Sequence, residues 1–526
     1  MNGRKYPLGI QTFETIIREG YVYVDKTARV YQLTHDNKYV FLSRPRRFGK
    51  SLLTTTIQAY FEGKKELFKG LDMEGLEHEW RKHPVLHFDL SCNKYFSIGH
   101  LHSTLNTLLE TYEKDYCVMR HSEDTFSERL LRIIRAAKEL TGENVVVLID
   151  EYDAPMHDSL GQSPLQETMR NTMRSFFSPL KSEERNLRFV FLTGISKFSQ
   201  LSIFSELNNL TNISLTDDYS DICGISKEEL LRDFRPDMEA LALHQGLSTD
   251  EAEKELKALY DGYHFSARGK DMFNPYSLLH TFQNNEFGNY WFATGTPTFL
   301  IDLLQKHGIN LLELEDIECT ADRFDVPTEQ MTDPVPVLYQ SGYLTIKGTL
   351  PGIRPYLRRY KLGFPNEEVR RGFSNSLYRH YAPDGIGQRD AVCRAYMDHL
   401  VTSPHEDMEG FMPHLQTFYK KFPYPLVNNN ERHYQAVLYT IFLLLGCDVR
   451  PEVPTADGRI DLVLRTARSI YVFELKCGQS AESAMKQMAQ KDYAAAFADE
   501  GKRIYEVGVN FSQDHRTMES WSIRAL

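Results

Sequence analysis

The stretch FLSRPRRFGKSLL at 41–53 decides the fold of the N-terminal half, because an apolar strand leads through a turn into a helix. Gly49, Lys50 and Ser51 open that helix. A helix N-terminus presents free backbone N–H groups and the positive end of its dipole, so it binds phosphate. At such a turn a lysine reaches the β- and γ-phosphates and a serine hydroxyl ligates Mg²⁺. The stretch therefore predicts an ATP-binding P-loop.

The loop departs from the pattern G-x-x-x-x-G-K-[ST] at its first position, where Arg44 replaces glycine. Its charge leaves a second interpretation open, which is a strand-turn-helix with an exposed basic loop. We assign the rest of the loop to the nucleotide as well. This adds four residues to the cofactor-binding set: Arg46, Arg47, Phe48 and Leu52.

A second apolar stretch, VVVLIDEYD at 145–153, strengthens this prediction because it is typical of a buried strand that ends in acids. In a Walker B strand the acid Asp150 holds Mg²⁺, usually through water, and Glu151 polarises the attacking water. Asp153 is a candidate accessory acid. The alternative is a core strand that ends in solvated carboxylates.

A third strand, at 187–193, ends in Thr193, which either senses the γ-phosphate or is a satisfied strand-end threonine. The order resembles ATPases that insert a strand between the P-loop and Walker B strands and use a catalytic glutamate. Strands that alternate with helices predict a parallel sheet with right-handed crossovers. Arg185 and Arg188, near the start of the third strand, are candidates for an arginine finger.

The pattern divides the chain into three parts. Strands and helices alternate at first, helical periodicity then dominates, and a strand-rich pattern returns near the C-terminus. In the middle part, 342–347 and 360–364 predict a hairpin after a helix, which is winged-helix-like. The predicted parts are a P-loop domain at 1–215, a helical and winged-helix-like region at 216–420, a linker at 422–430 and a C-terminal α/β domain at 428–526.

The C-terminal part contains GRIDLVLRTARSIYVFELKC at 458–477. The alternation of a strand puts Glu474 and Lys476 on one face, and a hairpin would bring Asp461 beside Glu474. Two adjacent carboxylates favour a divalent cation, and oxygen ligands suit Mg²⁺ or Mn²⁺. A lysine beside the ion orients or deprotonates water, or stabilises the charge that develops on phosphorus.

This arrangement is the D…E-x-K signature of PD-(D/E)xK nucleases, and it predicts a restriction-endonuclease-like α/β domain. Glu431 on the preceding helix is a candidate third metal ligand, beside Asp461 and Glu474. Gln487 and Tyr493 lie on the following helix, and we add Gln487 to the catalytic set. The alternative is an amphipathic hairpin with surface charges.

Taken together, these stretches resemble the bacterial AAA-ATPase-like proteins that carry a C-terminal PD-(D/E)xK nuclease domain. The resemblance implies an ATPase fold followed by a nuclease fold, and it makes the arginines of the P-loop expected. It implies that Lys50, Ser51, Asp150 and Glu151 serve the nucleotide, and that Asp461, Glu474 and Lys476 serve a metal-dependent cut. Further matching stretches are YVDKT at 23–27, TGISKFS at 193–199, YDGYHF at 260–265, NPYSLL at 274–279, YWFATGTPTFL at 290–300, YQSGYLTI at 339–346 and FPNEEV at 364–369.

Composition limits the class of protein. The 526 residues carry a net charge of −11, which argues against a protein coated in basic charge. Seven cysteines without a C-x-x-C pair indicate reduced thiols and no zinc site. No apolar run approaches the ~20 residues that cross a bilayer. We therefore expect a cytoplasmic protein without a membrane partner.

Three functional hypotheses remain open from the sequence. The first is an ATP-driven or ATP-gated nuclease that acts on DNA, with a role in mobile-element or phage defence. The second is a nucleotide-switched sensor or homo-oligomerising module whose nuclease-like domain binds nucleic acid without cutting it. The third is an ATPase with a degenerate C-terminal domain, and the intact Asp461, Glu474 and Lys476 argue against it.

Overall fold

The chain forms two compact units, each assembled from two stretches. The first unit comprises 1–294 and 317–369, and the second comprises 295–316 and 370–526. The computed structural model describes residues 4–159, 162–196, 209–291, 300, 303–304, 307, 311–326, 333–351, 357–381, 386–420, 430–455 and 458–526. The predicted linker at 422–430 lies, apart from its last residue, outside the described residues. The predicted three-part division of the chain stays a prediction.

The first unit is built on a parallel sheet with the strand order β2-β3-β4-β1-β5. Strand β4 lies between β1, which leads into the P-loop, and β3, which ends at Asp150, so the predicted inserted strand is confirmed. Its strands are β1 (Tyr39–Ser43), β2 (Val85–Asp89), β3 (Val145–Asp150), β4 (Leu187–Gly194) and β5 (Thr211–Asn212).

The sheet is fixed by a core that covers it on both faces. Every residue of β3 is buried, which is the environment that a continuous β-branched run favours. Leucine, isoleucine, methionine and phenylalanine side chains of α5, α6 and α8 pack against the sheet. The helices are α1 (Phe13–Arg18), α2 (Thr27–Asp36), α3 (Lys50–Phe61), α4 (Asp72–Leu76), α5 (Ile98–Asp115), α6 (Phe126–Thr141), α7 (Ala154–Asp158), α8 (Ser163–Phe177) and α9 (Pro179–Ser182).

A helical subdomain follows in the same unit. Ser226 and Ser248 each start a helix with a capping box, since their hydroxyls accept a backbone N–H and a glutamate three residues on returns the bond. Tyr6 of the N-terminal segment is part of the apolar core of this subdomain. The elements are β6 (Ile225–Ser226), α10 (Lys227–Asp233), α11 (Arg235–Gln245), α12 (Thr249–Tyr260), β7 (Tyr263–His264), β8 (Asp271–Phe273) and α13 (Pro275–Asn284).

The predicted winged-helix-like hairpin is present. Strands β10 and β11 pair antiparallel after a helix, and β9, which the sequence did not predict, adds a third strand beside β11. The elements are β9 (Ile317–Thr320), α14 (Ala321–Phe324), α15 (Pro334–Gln340), β10 (Thr345–Leu350) and β11 (Arg359–Gly363).

The second unit contains a mixed sheet in the order β12-β13-β14-β15-β16, parallel only between β14 and β15. This is consistent with the predicted restriction-endonuclease-like fold. The helix predicted to carry Gln487 and Tyr493 ends before Tyr493, because Asp492 takes a φ of 43° and a 3₁₀ segment follows. Helix α16 (Glu367–Tyr381) begins in the first unit and continues into the second. The further elements of the second unit are α17 (Ile386–Tyr396), α18 (Met408–Lys420), α19 (Glu431–Leu444), β12 (Asp448–Thr455), β13 (Gly458–Arg465), β14 (Ser469–Cys477), α20 (Ala481–Lys491), β15 (Arg503–Phe511) and β16 (Met518–Ala525).

Candidate functional site

The first candidate site lies at the carboxyl ends of β1 and β3, where the chain enters α3. Gly49 precedes α3 with a φ of 89°, a left-handed conformation that glycine adopts without strain. The first N–H groups of a helix have no partner within it, so those of Lys50 and Ser51 are available to an anion. The predicted P-loop geometry is therefore present.

The Lys50 ammonium is held inside this turn. Its Nζ lies 3.1 Å from the carbonyl oxygen of Arg44 and 3.3 Å from that of Pro45. It also lies 3.2 Å from Oε1 of Glu151. The two residues that the sequence assigns to phosphate binding and water activation therefore form an ion pair with each other.

Asp150 and Ser51 form the candidate magnesium ligands. The Ser51 hydroxyl hydrogen-bonds to the Asp150 carboxylate, which is 2% exposed. Burial raises the pKa of Asp150 to about 7, although the Ser51 hydrogen bond opposes the rise. A hydroxyl and a carboxylate are oxygen ligands of the kind that Mg²⁺ takes beside a nucleotide, so the pair fits this ion.

The four residues 150–153, DEYD, make a turn that is fastened to the end of β4. Oδ2 of the fully buried Asp153 accepts hydrogen bonds from the backbone N–H of Ile195 at 3.0 Å and of Ser196 at 2.7 Å. It also accepts from the Ser196 hydroxyl and lies 3.0 Å from Nε2 of His157. Oδ2 is held by this network, whereas Oδ1 of Asp153 is buried and receives no hydrogen bond from the described residues. The role of accessory acid stays a prediction.

Thr193 is buried in β4, between the P-loop strand and the Walker B strand. Its hydroxyl donates to the carbonyl of Leu42 at 2.9 Å. This contact matches the alternative of a satisfied strand-end threonine. The role of γ-phosphate sensor stays a prediction.

The DEYD turn leaves no room for a side chain at Gly194. A Cβ atom there would lie 2.4 Å from Oδ1 of Asp153 and 2.8 Å from the Tyr152 ring. Because these neighbours are buried, we expect Gly194→Ala to destabilise the protein by about 3 kcal/mol. Gly75→Ala, in α4, meets no atom within 4 Å and serves as the control for thermal unfolding. Equal melting temperatures of the two variants would contradict the expected clash.

Arg44 and Arg47, two of the three arginines of the P-loop, contact the protein. The buried Arg44 donates to the carbonyls of Ser214 and Tyr219 at 2.8 and 3.1 Å, and its guanidinium carbon lies 4.3 Å from the centre of the Phe265 ring. Its cationic side chain acts as a strut where other P-loops need only a glycine. The third arginine of the loop, Arg46, which the sequence assigns to the cofactor, is exposed.

Arg47 and Phe48, which the sequence assigns to the nucleotide, make contacts within the helical subdomain. The guanidinium carbon of Arg47 lies 3.8 Å from the centre of the Tyr276 ring, and Nη1 donates to the carbonyl of Tyr290 at 3.1 Å. The buried Phe48 ring packs edge-on against Tyr263. Both side chains therefore link the P-loop to the helices that follow the sheet.

Glu368 lies in the same region and is 1% exposed. Its carboxylate accepts from the backbone N–H of Trp291 and from the Ser277 hydroxyl, both at 2.8 Å. Burial raises the pKa of Glu368 to about 7. The unfolded chain loses this proton near pH 4.5 and the folded chain near 7, so stability falls as the pH rises through this window.

We expect Glu368→Gln to remove that loss, because a neutral amide carries no ionisation cost. At about pH 8 the variant should be more stable than the native chain by on the order of 3 kcal/mol, and near pH 4 the difference should vanish. Urea unfolding at both pH values measures this. Glu286→Gln, at an exposed position, should change stability equally little at both. A pH-independent effect of Glu368→Gln would contradict the assignment.

An apolar cavity of about 100 Å³ adjoins the P-loop. Gly49 and Leu52 line it together with Tyr23 and Val24 from the N-terminal segment and Leu279 from α13. Its place beside the start of α3 suits the base of a nucleotide. Leu52 is an apolar wall of this cavity, and its contact with a nucleotide stays a prediction.

The motif YVDKT at 23–27 mainly makes packing and capping contacts. Asp25 accepts the backbone N–H of Thr27, the first residue of α2, at 2.8 Å, and Lys26 forms an ion pair with Glu229. In YDGYHF, Gly262 has a φ of 86°, and a Cβ there would lie 2.3 Å from the carbonyl oxygen of Pro365. The contacts described for both motifs are thus contacts within the protein. Residues 197–199 of TGISKFS and 292–299 of YWFATGTPTFL lie outside the described residues.

The second candidate site lies where β13 leaves β14. The ladder between these strands ends at the pair Leu462–Phe473. Beyond it, Oδ2 of Asp461 accepts the backbone N–H of Leu475 at 2.7 Å. Asp461 is therefore held next to Glu474 by a side-chain bond that continues the ladder, as the predicted hairpin requires.

Glu474 carries a carboxylate oxygen that no described residue satisfies. Oε1 accepts from Nζ of Lys476 at 2.8 Å, and Lys476 also donates to the carbonyl of Leu475. Oε2 of Glu474 is buried and receives no hydrogen bond from the described residues. Such an oxygen is costly unless something binds it, and it is a suitable ligand for a hard divalent cation.

The charges at this site oppose one another. Burial raises the pKa of Asp461 to about 7, and the nearby Glu474 adds to the rise. Burial also raises the pKa of Glu474, against the effect of Lys476. For Lys476, burial lowers the pKa but the hydrogen bond and charge of Glu474 outweigh it, so the pKa is raised. A divalent cation between the carboxylates would relieve their repulsion, so the residues fit Mg²⁺ or Mn²⁺.

The supporting residues that the sequence predicts are only partly brought together. Glu431 begins α19, and burial raises its pKa. No group of three or more His, Cys, Asp or Glu side chains has metal-binding spacing in the described part of the chain, so Glu431 stays a predicted ligand. Gln487 is half-buried on α20. Tyr493 is buried in the core, and its hydroxyl donates to the carbonyl of Arg459.

Two polar residues at this site escaped the sequence analysis. Nε2 of the buried Gln435, on α19, donates to Oε1 of Glu452 at 2.8 Å and to the carbonyl of Asp461 at 2.7 Å. Glu452 has a φ of 50°, a left-handed conformation inside a strand. The positions of Glu431 and Gln435, one helical turn apart, were the available signal.

Arg188, a candidate arginine finger, lies at the amino end of β4. Its guanidinium carbon lies 5.5 Å from the centre of the Phe61 ring, and it donates to the carbonyl of Thr34. Since Lys50 follows the carboxyl end of β1, Arg188 is at the opposite edge of the sheet from the P-loop of its own chain.

Among the described helices, none is long and apolar enough to traverse a bilayer.

Comparisons with known proteins agree with the predicted N-terminal and C-terminal domains. The family described as predicted AAA-ATPase matches residues 7–204, and the PD-(D/E)XK nuclease superfamily matches residues 429–521. The uncharacterized protein in the vnfD 5′ region of Azotobacter chroococcum mcd 1 is 35% identical over 545 residues, which cover 100% of each chain.

Two solved structures show a weaker likeness. The ORC2 protein of Aeropyrum pernix is 13% identical, with 70% of this chain and 98% of that one covered and a TM-score of 0.29. Cdc6p of Pyrobaculum aerophilum is 9% identical, with 65% and 88% covered and a TM-score of 0.19. These scores carry no functional argument, whereas the sequence matches do. The chain belongs to the family that joins a predicted AAA-ATPase domain to a C-terminal domain of the PD-(D/E)XK nuclease superfamily.

Proposed function

We propose that this chain is an ATPase coupled to a Mg²⁺-dependent nuclease that cuts DNA in the cytoplasm. The observation that carries the proposal is the buried Glu474, whose Oε2 receives no hydrogen bond from any described residue and lies beside Asp461 and Lys476. A site with an unsatisfied buried carboxylate suits a cation far better than it suits a structural hairpin.

In the proposed nuclease reaction, Asp461 and Glu474 hold the ion, for which Mn²⁺ can substitute. When bound, the ion polarises the phosphodiester and lowers the pKa of water. Lys476, fixed by two hydrogen bonds, orients the attacking water or stabilises charge on the phosphoryl oxygens. A bond forms between the water oxygen and phosphorus and the ester P–O bond breaks. The attacking water loses a proton to solvent, and the leaving oxygen takes up a proton from solvent.

In the proposed ATPase reaction, Lys50 binds the β- and γ-phosphates and Ser51 and Asp150 hold the Mg²⁺ that accompanies them. The phosphates take the place of Glu151 on Lys50, and Glu151 is then free to polarise the attacking water. The apolar cavity beside Leu52 accepts the base. Binding of the nucleotide would in this way change the contacts of Glu151 and of the loop arginines.

The experiment that tests the proposal is cleavage of linear, circular and single-stranded DNA with Mg²⁺, in the presence and absence of ATP. We expect a metal-dependent cut whose rate changes with ATP. Chelation should abolish it, and Lys50→Ala should remove the ATP effect. If a folded chain that binds Mg²⁺ cuts none of these substrates, the nuclease proposal is wrong.

A second candidate function is a nucleotide-switched module that oligomerises and holds nucleic acid without cutting it. It is favoured by the engagement of Arg44 and Arg47 with the region that follows the sheet, since phosphate binding at the P-loop would alter these contacts. Tight retention of ATP with slow turnover, together with assembly that Lys50→Ala disrupts, would support it. Rapid multiple turnover would exclude it. For either function, phage plating on cells with and without the chain tests the proposed role in defence.

A further inference from the structure

The second candidate site contains more negative than positive charge. Glu431, Glu452, Asp461 and Glu474 lie in or next to it, and the single lysine of the motif, Lys476, is already bonded to Glu474. A nucleic-acid phosphate would add a further negative charge. A second cation near the site would therefore be needed to hold the substrate, beyond any metal ion.

Lys491 is in the position to supply that cation. It is the last residue of α20, a helix that packs on β14. Met488 of this helix shares a core with Val472, and the alternation of β14 puts Glu474 and Lys476 on the same face as Val472. Lys491 thus stands on the helix that covers the carboxylates. Its charge acts to lower the pKa of Glu474, although burial raises that pKa overall.

The Lys491 ammonium crosses over the start of β13, where the chain has a glycine. A Cβ atom at Gly458 would lie 2.8 Å from Nζ of Lys491 and 3.2 Å from its Cδ. The stem runs near Tyr493, whose ring centre is 5.7 Å from Nζ. A side chain at 458 would compete with the end of Lys491 for this space.

The ammonium group of Lys491 has donors that no described residue accepts. Across the residues that the structure describes, Lys491 forms neither an ion pair nor a hydrogen bond, whereas Lys476 donates to two acceptors. An ammonium group has three donors and behaves as a compact point charge, which suits a phosphate. Gln487, four residues earlier, lies on the same face of α20.

We propose that Lys491 binds a backbone phosphate of the nucleic acid at the Asp461–Glu474–Lys476 site. The inference rests on the proposed nuclease function and adds a substrate-binding residue to it. Lys491 contacts the phosphate, while Gly458 acts only by leaving room for the ammonium.

The test measures binding of a fluorescent duplex oligonucleotide to the full chain by anisotropy, with Ca²⁺ in place of Mg²⁺. For Lys491→Met we expect a Kd about 10-fold higher at ~50 mM KCl, and a slope of log K against log salt that is smaller by about 0.9. Methionine keeps an apolar stem beside Tyr493, so the melting temperature should stay unchanged. Lys491→Arg should restore most of the affinity.

The matched control is Lys486→Met, which removes the same charge from an exposed position of α20. It should change Kd less than about twofold. Unaltered binding and salt slope in Lys491→Met overturn the inference, and leave the proposed function intact if the native chain cuts DNA. A loss of affinity with a lowered melting temperature and no rescue by arginine assigns Lys491 to structure and also overturns it. If the native chain neither binds nor cuts DNA, both proposals fail.

Discussion

Lys476→Met is expected to reduce DNA cleavage by about 10³-fold and to leave ATP hydrolysis unchanged. The ammonium of Lys476 donates to Oε1 of Glu474 at 2.8 Å and to the carbonyl of Leu475 at 2.9 Å. Its position is therefore fixed before substrate binds. The loss of one preorganised charge at a reacting phosphate typically costs 10²- to 10³-fold in rate. Initial rates of cleavage under saturating Mg²⁺ measure the effect.

Lys486→Met is again the matched control, since it changes the charge of the C-terminal unit equally and lies on an exposed position of α20. Circular dichroism and Mg²⁺ binding should show that the Lys476 variant still folds and still binds the ion. If it cut DNA at the native rate, the E-x-K strand would carry no catalysis. The site would then be a metal-stabilised structural element.

Glu151→Gln is expected to slow ATP hydrolysis by about 10²- to 10⁴-fold, because an amide cannot act as a general base toward water. ATP should bind at least as tightly as to the native chain. In the native chain Glu151 lies 3.2 Å from the Lys50 ammonium and competes with the phosphates for it, and glutamine removes that competition. Phosphate release gives the rate, and equilibrium titration with ATP gives the affinity.

Glu139→Gln, on an exposed position of α6, changes the charge of the same unit and should leave both quantities unchanged. Native turnover by the Glu151 variant would show that another group activates the water. Weakened ATP binding would show that the Lys50–Glu151 pair supports the loop instead of competing with phosphate.

The parallel sheet could be predicted because its signal is local. The run VVVLID has no polar position until it reaches Asp150, and a strand buried on both faces needs such a run. The alternation of side chains along a strand likewise predicts, without any tertiary contact, that Glu474 and Lys476 lie on one face of β14. The structure brings Asp461 to them through the N–H of Leu475.

Other features depend on contacts between distant parts of the chain, which no local pattern encodes. Arg44 is a buried strut only because Ser214 and Tyr219 present carbonyls to it from some 170 residues away. Glu452 joins the second site through Gln435, on another element. Helix α20 ends early because Asp492 adopts a left-handed conformation. Aspartate tolerates this conformation, but an aspartate in a sequence does not by itself predict it.

The alternation of the two units along the chain has consequences for synthesis on the ribosome and for recombination. The chain leaves the first unit after residue 294, returns to it at 317 and leaves it again after 369. On the ribosome the first unit therefore cannot be completed until residues 295–316, which belong to the second, have already emerged. A recombination event that transferred residues 429–521 alone would leave part of their unit behind. Neither unit can therefore be transferred whole as one continuous piece of the chain.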